Sequence, residues 1–144
     1  MILYLDTSSL IKLYVEEEGS ETVRAEVAAA EVVATSLLAY PEARAALARL
    51  RRQRSLSPAA HRRARSALEE DWERYLVVQV TEPICRTAGD LAEEHGLRAY
   101  DSVHLASYRT LRLQGGGDVR FSSFDRHLNR AAAAESRRPR RRRP

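Results

Sequence analysis

Four short candidate strands punctuate the chain, and amphipathic stretches fill the intervals between them. Ile2–Leu5 is continuously apolar and stops abruptly at Asp6, the signature of a short strand buried on both faces. Val32–Thr35, Leu76–Val80 and Val119–Ser122 predict three more strands. The intervals carry apolar residues at helical spacing. Thr7 or Ser8 is placed to cap a helix running through Leu10, Ile11 and Tyr14, with Gly19 of "EEEGS" as its stop. Glu21–Ala30 reads as a second helix. A third, from about Leu37 to Arg52, lines up Leu38, Ala43, Ala46, Leu47 and Leu50 on one face. Ser57 and Pro58 restart the chain as N-cap and first helical residue of a fourth, whose Trp72 and Tyr75 are assigned to core packing. Further helices are expected from Glu82 to Gly96, from about Asp101 to Leu113, and from Asp125 to Ala134.

Strands alternate with helices, and no two strands are close enough for a tight hairpin. The pattern predicts an α/β domain whose parallel sheet is covered by helices on both faces. In such folds ligands sit outside the carboxyl ends of the strands. The expected organisation is one domain over residues 1–134, followed by an Arg/Pro-rich disordered tail over 135–144.

Composition narrows the setting. A chain of 144 residues suffices for one ordinary core. No run approaches the roughly 20 apolar residues of a membrane span, and the first apolar run lacks the basic flank of a signal peptide. The single cysteine, Cys85, excludes an intrachain disulfide and reads as a small buried hydrophobe; a cytoplasmic chain is expected. The formal charge of +4 comes from "RRPRRRRP" at the end: without those six arginines, 18 basic residues face 20 acidic ones. Such a run suits phosphate backbones or an acidic partner, and equally a solvated tail.

Most acids lie on polar helix faces beside arginines. Four do not. Asp6 closes the first strand, Glu42 lies early in the helix after the second, and Asp125 follows the fourth. All three can converge on one rim of a parallel sheet, whereas Asp101 follows a helix and depends on tertiary placement. Clustered carboxylates repel, and their pKa values rise unless a cation neutralises them. Hard oxygen donors without histidine or cysteine partners suit Mg²⁺ or Mn²⁺, and such a site can bind a phosphodiester and activate a water.

The stretches "YLDTSSLIKLY", "ATSLLAYPEARAAL", "LRAYDSVHLA" and "RFSSFDRHLNRAA" resemble, in order and spacing, the four acidic signatures of PIN-domain nucleases, and most closely those of VapC-type ribonuclease toxins. The resemblance covers residues 1–134. It implies a three-layer α/β/α sandwich with a central parallel sheet of four to five strands, and a metal-dependent endoribonuclease. A metal-activated water would attack the phosphorus in line, leaving 5′-phosphate and 3′-hydroxyl ends. By position, Asp6 and Asp101 would be direct ligands of Mg²⁺, with Mn²⁺ as substitute, and Glu42 and Asp125 would act through water. Thr7, Ser8 and Ser123 would support them with hydroxyls. A VapB-type antitoxin would cover the site, and a homodimer is implied. The family's short final strand has no counterpart in the apolar pattern after residue 134.

Two side chains near the acids have a second reading as substrate contacts: His104, three residues after Asp101 on the same helix face, whose default is a partly buried helix histidine bonded to backbone, and Arg126 beside Asp125, whose default is a solvated surface. Arg51, Arg52, Arg54, Arg62, Arg63 and Arg65 form a basic zone around one interhelical turn, readable as an RNA contact or as a solvated surface. A rival reading keeps the fold as a catalytically silent RNA-binding or assembly module. A phosphatase with an aspartate nucleophile is disfavoured, because Ser8 stands where its second acid is needed.

Overall fold

A computed structural model describes residues 1–114 and 117–139. The chain runs β1 (Ile2–Leu5), α1 (Thr7–Leu10) passing into a 3-10 turn (Ile11–Leu13), α2 (Ser20–Ala29), β2 (Val32–Ser36), α3 (Ala39–Arg52), α4 (Pro58–Trp72), β3 (Leu76–Val78), α5 (Glu82–His95), α6 (Ala99–Gln114), β4 (Val119–Ser122) and α7 (Arg126–Arg137). Among the described residues, four strands form one parallel sheet in the order β3-β2-β1-β4. Its register pairs Tyr4 with Ala34 on one side and with Phe121 on the other.

Alternation along β1 divides the core. Leu3 and Leu5 point to a layer with Leu10, Val23, Ala43, Leu47 and Leu68 from α1 to α4. Tyr4 points to the opposite layer, with Leu91, Leu105, Tyr108 and Leu128 from α5 to α7. The result is the expected three-layer α/β/α sandwich. Tyr4 is fully buried and stacks on Phe121 at 5.6 Å between centroids, with the rings 9° apart. Among the described residues no helix is long and apolar enough to cross a membrane.

Local chemistry explains where the elements depart from expectation. The first helix is capped not by Thr7 or Ser8 but by Asp6, whose Oδ1 accepts from the Ser9 N–H at 3.0 Å. β3 ends at Val78, two residues early. Its last ladder bond is Leu37 N–H to the Val78 carbonyl, after which Thr81 turns to cap α5. The helix carrying Asp101 starts at Ala99, so that residue lies within its first turn. Cys85 is exposed on α5 rather than buried; Ile84, Ala88 and Leu91 form the inward face.

The end of the chain differs most. α7 continues past Ala134 to Arg137 and carries Glu135 into the interior, where it is 1% exposed. Leu128, Ala131, Ala132 and Glu135 form one helical stripe, a spacing visible in the sequence. Glu135 Oε1 meets His95 Nε2 at 3.0 Å and Arg138 Nη1 at 3.2 Å, and Oε2 faces Arg109 Nε at 3.6 Å. Arg112 donates to the main-chain oxygens of Glu135 and Arg138. Arg138 also pairs with Glu94. Guanidinium groups thus supply the positive charge among these carboxylates. Because removing one partner of a buried ion pair typically costs about 3–5 kcal/mol, Glu135→Ala should destabilise the domain by roughly 3 kcal/mol in denaturant unfolding. An unchanged midpoint would mean that this helix end is not docked. Residues 140–144 of the expected tail lie outside the described residues.

Candidate active site

The chain steps outward from β1 through β2 to β3, then returns to the other side of β1 for β4. Order therefore reverses between β1 and β4, and a crevice opens beyond their carboxyl ends. Asp6 stands at the end of β1. Asp125 stands three residues beyond β4, as N-cap of α7, with Oδ1 accepting from Leu128 N–H at 2.8 Å. Glu42 enters from the first turn of α3 and Asp101 from the first turn of α6. All four acids line one cleft of about 550 Å³. Convergence of Asp101 with the other three, which spacing alone could not show, is thus a property of the fold.

Each acid is held differently. Asp6 is only 4% exposed. It accepts from Ser8 Oγ at 2.7 Å and Ser9 N–H at 3.0 Å on one oxygen, and from Ser123 Oγ at 2.6 Å on the other. Burial pushes its carboxyl above the usual aspartate range, against the opposing pull of these three bonds. Glu42 Oε1 accepts from Thr7 Oγ1 at 2.7 Å and from His104 Nε2 at 2.8 Å. Burial would raise this carboxyl too, but the bonds from His104 and Thr7 outweigh it and hold it below the usual range. Asp101 and Asp125 share Arg98, whose Nε lies 3.2 Å from Asp101 Oδ2 and whose Nη2 lies 3.8 Å from Asp125 Oδ2.

His104 is 2% exposed, with both nitrogens engaged. The Tyr4 hydroxyl lies 2.9 Å from Nδ1, so the network assigns that hydroxyl as donor and leaves the hydrogen on Nε2 for Glu42. The side chain partners are Tyr4, Glu42 and Thr7, which makes it a support of Glu42 more than a free contact for substrate. Arg126 is exposed at the first position of α7 and is not among the cleft-lining residues; the helix turns about 100° between consecutive residues, so it does not share the bearing of Asp125. Sequence reasoning missed Arg98 and Arg49, which do line the cleft. Arg98 precedes Asp101 by three residues, the spacing of a helical ion pair, and that signal was available. The basic zone divides: Arg52 lines the cleft, whereas Arg62 and Arg63 line a separate groove with Glu70.

A glycine secures the loop that brings Ser123 to Asp6. Gly19 has φ +91°, and a Cβ there would stand 2.5 Å from the Phe124 ring. That ring also lies under Lys12 Nζ, 4.4 Å from its centroid, and the Phe124 N–H donates to Ser8 Oγ at 2.9 Å. Gly19→Ala should therefore lower stability by about 1–2 kcal/mol through backbone strain alone, and displace Phe124 and Ser123 with it. Thermal melting checks the first effect; a melting point equal to the parent's would count against it.

The family model for the PIN domain matches residues 3–134, nearly the whole chain. The chain belongs to the PIN-domain family. Among curated relatives, this PIN domain is similar to ribonuclease VapC45 of Mycobacterium tuberculosis strain CDC 1551 / Oshkosh and to ribonuclease VapC49 of strain ATCC 25618 / H37Rv. Each is 35% identical over 133 residues, covering 92% of this chain and 90% of the relative. Among solved structures, FitAcB from Neisseria gonorrhoeae superposes with a TM-score of 0.66 at 22% identity, over 92% of this chain and 94% of that one. VapBC2 from Rickettsia felis, in a structure with a promoter DNA fragment, gives a TM-score of 0.57 at 13% identity, over 87% and 100% of the two chains. Both likenesses place the sandwich of this PIN domain among known folds.

Proposed function

We propose that this PIN domain is a metal-dependent endoribonuclease of the VapC toxin type, acting in the cytoplasm as a homodimer and restrained by a VapB-type antitoxin. The observation that carries the reading is the meeting of Asp6, Glu42, Asp101 and Asp125, from four separate elements, in one cleft at the reversal of strand order. Relatives 35% identical over most of their length are named ribonucleases.

The donor set fits a hard divalent cation. The acids supply oxygen, both nitrogens of the histidine beside them are taken, and the burial of Asp6 leaves its charge short of solvation. Mg²⁺, or Mn²⁺ in its place, would be held by Asp6 and Asp101, with Glu42 and Asp125 acting through water. Such an ion supplies Lewis-acid polarisation of the scissile phosphate and activation of a water for in-line attack. The chain's own residues prepare that site. Ser8, Ser9 and Ser123 fix the rotamer of Asp6, and Thr7 and His104 fix that of Glu42. The Asp125 carboxylate is oriented by its capping bond. Arg98 balances Asp101 and Asp125 by direct ion pairing.

The test is end-mapping of cellular RNA after brief expression of the parent and of Asp101→Asn. New 5′-phosphate ends at defined positions, present for the parent and missing for the variant, are expected. Identical end profiles would leave the silent RNA-binding module as the better description.

A further inference from the structure

We propose that Arg49 and Arg52 of α3 form a phosphate-binding track that guides single-stranded RNA across the acidic cleft; this rests on the ribonuclease reading and extends it to how the substrate is held. Glu42, Ala45, Ala46, Arg49 and Arg52 all line the cleft, and their spacing of three or four residues makes one stripe down the helix. At 1.5 Å per residue, Arg49 stands about 10 Å and Arg52 about 15 Å along the axis from Glu42. The residues between are alanines, whose methyl groups leave a shallow floor from the acids to the guanidinium groups. Among the described residues neither arginine has an ion-pair or side-chain hydrogen-bond partner, although four carboxylates line the same cleft. Arg98, by contrast, is already spent on Asp101 and Asp125. Two unpaired guanidinium groups in a cleft are matched to phosphates lying outside the reacting centre.

The same surroundings favour a single strand over a duplex. Asp6 is 4% exposed, so the scissile phosphate must descend to it, and a rigid helix presents its backbone on a broad convex surface.

Binding of a short labelled single-stranded oligoribonucleotide to the full chain, in Ca²⁺ over a salt series, tests the track by fluorescence anisotropy. Each phosphate contact to a single strand contributes about 0.7 to the salt slope, so Arg49→Ala/Arg52→Ala should flatten it by about 1.4 and weaken affinity at least about tenfold. Arg49→Lys/Arg52→Lys should retain the slope. Arg62→Ala/Arg63→Ala removes the same charge from a separate groove and should leave slope and affinity at parent values. Ala45→Leu, which fills the floor without altering charge, should weaken binding with the slope preserved. Equal losses from the two alanine pairs would reveal diffuse attraction and overturn the track, as would no loss from either. A duplex of the same sequence competing as well as the single strand would overturn the choice of substrate form. A parent that binds and does not cleave in Mg²⁺ or Mn²⁺ would sink the ribonuclease reading while leaving the track in place. A parent that binds no RNA sinks the track itself.

Discussion

Asp6→Asn should abolish RNA cleavage, by on the order of 10³-fold or more, and at the same time raise the melting temperature of the metal-free protein. The loss of activity follows from removing the charge at the centre of the cleft; losing even an outer partner of a metal ligand usually costs 10–100-fold. The gain in stability follows from burial. Asp6 is pushed above the ordinary aspartate range by desolvation, against the pull of Ser123, Ser8 and Ser9. A carboxyl whose folded pKa lies above its unfolded value contributes stability that is complete below the unfolded value and lost as pH rises through the folded one. At neutral pH the ionised Asp6 is therefore a cost to the metal-free fold. Asparagine caps a helix as well as aspartate, so the bond from Ser9 survives the change. Divalent metal should do for the parent what the substitution does for the variant. At a hundredfold excess over its Kd a bound ion adds about 2.7 kcal/mol, a rise of roughly 10 °C for a domain of this size. The variant should respond much less. Thermal melts with and without Mg²⁺ or Mn²⁺, from pH 4 to 8, check all of this. A parent melting curve unmoved by millimolar metal would break the link between the acids and a cation.

The second large effect is expected at His104. His104→Ala should destabilise the fold by about 3 kcal/mol and slow cleavage by about 10–100-fold. The stability loss combines a cavity beside Tyr4 with a fully buried Tyr4 hydroxyl that loses its Nδ1 partner. The kinetic loss comes from Glu42, whose Oε1 is oriented by His104 Nε2 and Thr7 Oγ1. The pH signature separates the two. Glu42 is held below its ordinary range, so its contribution is complete above the unfolded pKa and lost as pH falls through the folded one. Without His104 that carboxyl should move up, and the fall in stability on acidification should become shallower. Urea unfolding at a series of pH values reads the slope directly. Parallel curves for variant and parent would show that His104 packs without tuning Glu42.

Much of this protein is legible in its sequence because strand and helix periodicities report burial directly. Ile2–Leu5 and Val119–Ser122 occur as strands at the bounds expected of them, and the alternation of elements already implies a parallel sheet clad on two faces. Asp6, Glu42 and Asp125 stand out for a local reason: a charged residue directly after a buried strand, or early in the helix that follows one, has little cause to be there unless something at the sheet's rim needs it. Charge misled at the other end. Glu135 belongs to the stripe of Leu128, Ala131 and Ala132, yet an acid beside an arginine run looks like tail. Its burial depends on His95 and Arg109 arriving from distant segments, which no local pattern records, as well as on Arg138 three residues further along.

Tertiary structure alone decided the rest. Which arginines line the cleft is set by packing: Arg49, Arg52 and Arg98 do, Arg62 and Arg63 line another groove, and Arg126 is not among the cleft-lining residues. The role of His104 is set by a tyrosine a hundred residues away, buried under it in β1. Asp101 joins the other acids because α6 begins at Ala99 and packs its first turn at the rim beside β1 and β4. Periodicity specifies the face a residue presents, and therefore the elements and the candidate acids. Distances between carboxylates, and the hydroxyls and cations that hold them, arise from packing between segments far apart in the chain, and only the folded molecule contains them.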